Sequence, residues 1–153
     1  MRKLLAGFVC AFALAVPAAA PAQTREGWSY AYVDGVATAT QIGDRGRTAV
    51  TLTCRPPDGD IIITDYTLGT ERSSRRATRA DVRVGNLSVN IPMTLEGRGR
   101  NATVVIHLPQ RPPLLAGVQP TDHLSVTVNG QTRTYGGESA MMLKDVAYAC
   151  WGS

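Results

Sequence analysis

Apolar residues recur at every second position along most of this chain, and that period limits its fold more than any other feature. "TAVTLTC" places Val50, Leu52 and Cys54 on one face and Thr51 and Thr53 on the other, the alternation of an extended strand. "WSYAYV" (Trp28 to Val33) and "VATATQI" (Val36 to Ile42) alternate in the same way across Asp34-Gly35. Both central residues of a type I′ turn need positive φ, so this Asp-Gly marks a hairpin. "DIIITDYTL" (Asp60 to Leu68) is the most β-branched run and is expected to form a central strand. The "RPPDGD" before it is a loop, because Pro56 and Pro57 cannot donate to a ladder.

Further along, apolar parity slips from Val82 and Val84 to Leu87, Val89 and Ile91, with Gly85-Asn86 at the slip as a bulge or a turn. "ATVVIHL" (Ala102 to Leu108) follows, then the proline-rich connection "PQRPPLLAGVQPTD", with a short helical turn expected around Leu114 to Gly117. "HLSVTV", Asn129-Gly130 and "QTRTY" make the last hairpin. Only then does the period change. From Ala140, apolar residues recur at Leu143, Val146/Ala147 and Cys150, a helical stripe. Gly136-Gly137 breaks the strand before it, and Ser139 is the expected N-cap. The expected fold is mainly β: an antiparallel β-sandwich or open barrel of about eight strands with a short C-terminal helix.

The N-terminus carries an address. Arg2-Lys3 precedes an apolar run from Leu4 to Val16, and "PAAAPAQ" offers cleavage after Ala20 or after Ala22. That is the layout of a secretory signal peptide, and it falls short of the ~20 apolar residues of a membrane span. Residues 1–22 are therefore read as a leader, and 23–153 as a single β-rich domain. The full chain has 16 basic and 12 acidic residues, so losing Arg2 and Lys3 leaves 14 − 12 = +2. So small an excess gives no reason to expect a nucleic-acid partner. No transmembrane segment remains after cleavage, and the expected location is the periplasm of a Gram-negative bacterium or the medium outside it.

Two cysteines survive cleavage, Cys54 and Cys150. In an oxidising compartment an even pair reads as a disulfide. Closing a loop of roughly 95 residues, it is worth about 4–5 kcal/mol in the chain-entropy model. It would tie the terminal helix to a strand far upstream.

The segment "LLAGVQPTDHLSVTVNGQTRTYGGESAMMLKDVAYACW" resembles the endings of small exported alphaproteobacterial proteins. They share a short turn, a strand pair around a glycine, an aromatic, a Gly-Ser-type break and a short helix ending in Cys. Some of that set is similar to the invasion-associated locus B family, a periplasmic β-sandwich group. The resemblance implies periplasmic residence and a β-sandwich, and it brings no catalytic residues with it.

Candidate chemistry is sparse. His107 lies in an alternating strand and His123 follows Asp122; a metal site would need them to converge with a carboxylate, and their spacing gives no sign of that. Ser139, His123 and Asp122 make a triad on paper, but Gly137-Glu138-Ser139-Ala140 lacks the second glycine of a nucleophile elbow. Asp58, Asp60 and Asp65 do not follow the ligand spacing of an EF-hand. The chain holds no phosphate-cradling glycine loop, CxxC pair or HExxH, so no cofactor is implied.

Arginine gives the one patch with chemical content. Arg72, Arg75, Arg76, Arg79 and Arg83 cluster in "GTERSSRRATRAD" and the strand after it, a segment read as an exposed loop or a short helix. If helical, it stacks Arg72, Arg76, Arg79 and Arg83 on one face. Guanidinium groups prefer bidentate oxyanions, which outside the cytoplasm means lipid headgroups, lipopolysaccharide or an acidic protein. The plainer reading is a solvated loop in an arginine-rich chain. The expected function is a non-catalytic binding module of the cell envelope; the alternative is a small secreted hydrolase or metal-dependent enzyme using His107 or His123.

Overall fold

Ten strands and one α-helix form: β1 (Gln23–Arg25), β2 (Trp28–Val33), β3 (Val36–Ile42), β4 (Thr48–Cys54), β5 (Ile61–Asp65), β6 (Arg79–Val84), β7 (Leu87–Glu96), β8 (Thr103–Leu108), β9 (Leu124–Val128), β10 (Gln131–Thr134) and α1 (Ser139–Trp151). This computed structural model describes residues 23–25, 27–56 and 59–152; the leader over 1–22 and Asp58 lie outside the described residues. The strands join antiparallel in the order β1-β2-β3-β4-β5-β8-β7-β6-β9-β10. One continuous sheet curls into a half-barrel, so of the two expected architectures the open barrel is the one that forms.

The turns follow from their residues. Asp34 (φ 51°) and Gly35 (φ 74°) are both left-handed, as are Asn129 (φ 47°) and Gly130 (φ 82°), the conformations a type I′ hairpin needs. Gly85 (φ 55°) makes a turn rather than a bulge, so β6 and β7 are separate strands. β7 pairs with β6 through Leu87–Pro92 and with β8 through Met93–Glu96. Pro92, which has no N–H to give, sits where the strand leaves one partner for the other. The expected helical turn in the proline-rich connection is a 3-10 turn, Pro113–Leu115.

Alternation buries one face of the sheet. Val50 and Leu52 of β4, Ile61 and Ile63 of β5, and Ile106 and Leu108 of β8 point inward with Val82 of β6 and Val126 of β9 into one core. At roughly 25 cal/mol per Å² of apolar surface, such burial is the main force holding a sheet of this size. α1 fills the concave side, packing on β2–β5 and on β9 through Ala140, Leu143, Val146 and Ala147, the stripe read from the sequence. Gly136 closes the seam ahead of it: its carbonyl accepts from Trp28 Nε1 at 2.9 Å and Gln41 Nε2 at 3.1 Å. Cys54, at the end of β4, and Cys150, in the last turn of α1, form the disulfide with their α-carbons 5.9 Å apart. Trp151 Nε1 donates to the Gly59 carbonyl at 2.7 Å beside it.

Two local expectations fail. Ser139 is not the N-cap: Glu138 (φ 50°) takes that position and no side-chain hydrogen bond caps the helix start. The buried Ser139 hydroxyl instead accepts from Leu124 N–H at 2.8 Å and donates to the Tyr135 carbonyl at 2.7 Å, stapling α1 to β9. The strand expected to run to Leu68 ends at Asp65, because the Asp65 side chain captures the next backbone N–H groups. The arginine segment, read as an exposed loop or a short helix, does hold a short helical turn. That is a 3-10 turn, Ser73–Arg76, followed by strand β6, so Arg72, Arg76, Arg79 and Arg83 share no helical face.

Candidate binding cleft

A cleft of about 1030 Å³ opens at the end of the half-barrel where β3 turns into β4, β5 ends and β7 turns into β8. The β3–β4 connection brings Asp44 and Arg47 to it, the β7–β8 connection Arg100 and Asn101, and the end of β10 Arg133 and Tyr135. The segment after β5 adds Tyr66, Thr67, Thr70 and Glu71. Antiparallel pairing explains the gathering: successive hairpins return every second connection to the same end of a sheet.

A buried carboxylate holds this end in shape. Asp65 is wholly inaccessible. Its Oδ1 accepts from the backbone N–H of Thr67 at 2.6 Å and of Leu68 at 2.5 Å, and from the Thr67 hydroxyl at 3.0 Å. Its Oδ2 accepts from the Tyr135 hydroxyl across the cleft floor. Burial first, and the neighbouring Asp65 carboxylate second, hold the Tyr135 pKa well above its ordinary value of 10.0, so the phenol remains a donor. The four donors turn the chain sharply after β5, leaving Tyr66 40% exposed. Tyr66 N–H donates to the Ala49 carbonyl at 2.9 Å, which fixes this wall to β4.

Gly69 locks the next part of the wall. A Cβ there would overlap the Ala102 carbonyl and the Thr103 backbone nitrogen, so only glycine lets this turn lie against the start of β8. Arg133 Nη2 lies 3.4 Å from Glu71 Oε1, an exposed pair bridging β10 to the same segment. Such a pair orients side chains more than it stabilises the fold. The lining thus mixes three arginines with two carboxylates, and adds threonine hydroxyls and two amides around one exposed aromatic ring.

None of the five clustered arginines lines this cleft. Arg72, Arg75 and Arg76 are exposed on the 3-10 turn that leaves the wall after Glu71. Arg79 and Arg83 lie on the outer face of β6 either side of Asp81. Arg79 is occupied: its Nη2 donates to the Asn90 carbonyl at 2.7 Å and its Nε to the Asn90 side chain, which in turn donates to Asp81 at 2.6 Å.

The histidines do not meet. His107, on β8, is exposed with Nδ1 3.9 Å from Asp60, whereas His123 is exposed ahead of β9, and those two strands are not neighbours. The paper triad is not assembled, since Ser139 donates to a backbone carbonyl and Asp122 accepts from the Gln119 N–H at 2.8 Å. Asp60 and Asp65 fall at opposite ends of β5. Among the described residues, no three His, Cys, Asp or Glu side chains gather as a metal site would require, and no helix is long and apolar enough to cross a membrane. Set against known proteins, the chain matches no family, no curated protein and no solved structure.

Proposed function

We propose that the chain is an exported, non-catalytic binding module of the cell envelope that holds an anionic envelope component in its arginine-bearing cleft. The observation that carries this reading is the convergence of Arg47 and Arg100, from two connections, and Arg133, from the end of β10, on one open cleft. Guanidinium groups present rigid donor forks that suit carboxylate and phosphate oxygens. The arginine-rich turn after Glu71 adds positive charge beside the mouth, where it assists encounter more than final affinity. Export is supported by the leader-like sequence over 1–22 and by the Cys54–Cys150 pair. A periplasmic location accords with the resemblance of the C-terminal third to small exported alphaproteobacterial proteins.

Two measurements test the reading. Fractionating cells that express the full chain should return a processed, oxidised protein outside the cytoplasm; an unprocessed cytoplasmic product defeats the export half. Titrating the mature protein with lipopolysaccharide, anionic lipid vesicles and acidic envelope polysaccharide should show binding that weakens as salt rises. The Arg47→Gln/Arg100→Gln/Arg133→Gln variant should lose it. Binding that is absent, or unchanged in that variant, defeats the binding half.

A further inference from the structure

The chemistry of the cleft points to a narrower ligand class, and we infer that it takes an acidic saccharide: sugar rings bearing carboxylate or phosphate, with a ring face on Tyr66 and the anionic group among Arg47, Arg100 and Arg133. This rests on the reading of the cleft as an anion-binding site and names the class of ligand.

The mixture of charges is the first argument. A bare oxyanion accepts hydrogen bonds and donates none, so it has no hydrogen bond to offer a carboxylate on the wall. Here Asp44 and Glu71 share the lining with the three arginines. Sugar hydroxyls both donate and accept, so they can satisfy Asp44, Glu71 and the threonine hydroxyls while an acidic substituent satisfies the guanidiniums.

Tyr66 is the second. The residue is 40% exposed among charged and hydroxyl-bearing neighbours, held there by the turn that Asp65 pins. A pyranose has apolar C–H faces and a polar rim, and a fixed aromatic plane within a ring of polar groups matches both. A peptide would instead look for apolar side-chain pockets, and Ala49 and Ala102 are the only aliphatic side chains in the lining. Size agrees: about 1030 Å³ holds a short oligosaccharide and far exceeds a single phosphate ion.

Preorganisation is the third. The Tyr66–Glu71 wall is held twice, by the Asp65 bonds to Thr67 and Leu68 and by Gly69 lying on the Ala102–Thr103 backbone. A rigid wall avoids the ordering cost that otherwise consumes the weak affinity of a solvated sugar.

The test uses the mature, oxidised protein, with isothermal titration against a panel of acidic oligosaccharides (uronates and sugar phosphates), the same uronates with carboxylates reduced to alcohols, tri-glutamate and inorganic tripolyphosphate. The expected result is binding of an acidic saccharide, at least about tenfold weaker for its reduced form. Tyr66→Ala should weaken it by about tenfold and Tyr66→Phe leave it nearly intact, with thermal melts showing both variants folded. Binding of tri-glutamate or tripolyphosphate but of no acidic saccharide overturns the inference and leaves the anion-binding reading standing. So does saccharide binding indifferent to Tyr66→Ala. If no anion in the panel binds, both fall. Release of new reducing ends, lost in Asp44→Asn or Glu71→Gln, would keep the saccharide and overturn the non-catalytic reading.

Discussion

Replacing Tyr135 with phenylalanine removes one oxygen and tests the buried carboxylate on which the cleft depends. In the parent, Asp65 Oδ1 has three donors and Oδ2 has the Tyr135 hydroxyl. Tyr135→Phe keeps the ring, buried at 4% exposure, and so keeps its packing. It strands one carboxylate oxygen where no water reaches, for which about 1–3 kcal/mol is the ordinary cost and the upper half applies to a charged group. For a domain of this length about 4 °C of melting temperature corresponds to each kcal/mol, so the expected fall is about 8–12 °C.

The pH dependence gives an independent sign. Below pH 10, the ordinary tyrosine value, folded and unfolded chains both hold the phenolic proton and pH has no leverage. Above it the unfolded chain releases that proton while folded Tyr135, whose pKa is raised, keeps it. Stability then falls with rising pH until folded Tyr135 ionises as well. Burial and the nearby Asp145 also raise Tyr30, so the Tyr135→Phe variant retains some alkaline loss from that residue. The difference between parent and Tyr135→Phe isolates the buried phenol. Denaturant melts from pH 8 to 12 measure both effects. A variant as stable as the parent at neutral pH, with an equally steep alkaline decline, would show that Asp65 and Tyr135 do not form the bond described.

Three further perturbations address other parts of the argument. The Cys54→Ala/Cys150→Ala variant should lose about 4–5 kcal/mol, the chain-entropy value for a separation of 96 residues; a loss under about 1 kcal/mol would show that the tie constrains little. Gly69→Ala should cost about 1–3 kcal/mol by overpacking against Ala102, and should weaken cleft binding along with stability; unchanged melting would mean the wall is not locked there. Ser139→Ala should cost about 1–3 kcal/mol by leaving Leu124 N–H buried without an acceptor. Ser139→Asp separates the two roles of that residue: a helix cap tolerates it, whereas the buried position seen here does not, and a neutral result in melts would restore the cap.

The alternation of β3–β5 and β9 was legible because a half-buried sheet imposes period two, and the two type I′ hairpins because their residues adopt positive φ at low cost. α1 showed itself by the change of period, and its disulfide by cysteine count. What failed to show depends on distances across the sheet. Ser139 follows a glycine break and reads as a cap, but its hydroxyl meets Leu124, fifteen residues back. The arginine run stands out in the sequence because clustering along the chain is visible, whereas clustering in space is not. Arg47 and Arg100 lie in "GDRGR" and "GRGRN", two unremarkable turns that antiparallel order returns to one end of the half-barrel.

One signal for that end was present and has a physical meaning. Ile61, Ile63 and Asp65 share a face of β5, so parity alone sends a carboxylate into the core. An acid at a core-facing position requires donors, and the N–H groups of Thr67 and Leu68 with the Tyr135 hydroxyl supply them. Those same bonds end the strand early, expose Tyr66 and fix the cleft floor. The break in hydrophobic alternation at Asp65 therefore marks the candidate site more closely than the arginine count does, because a buried charge must be built around and surface arginines need not be.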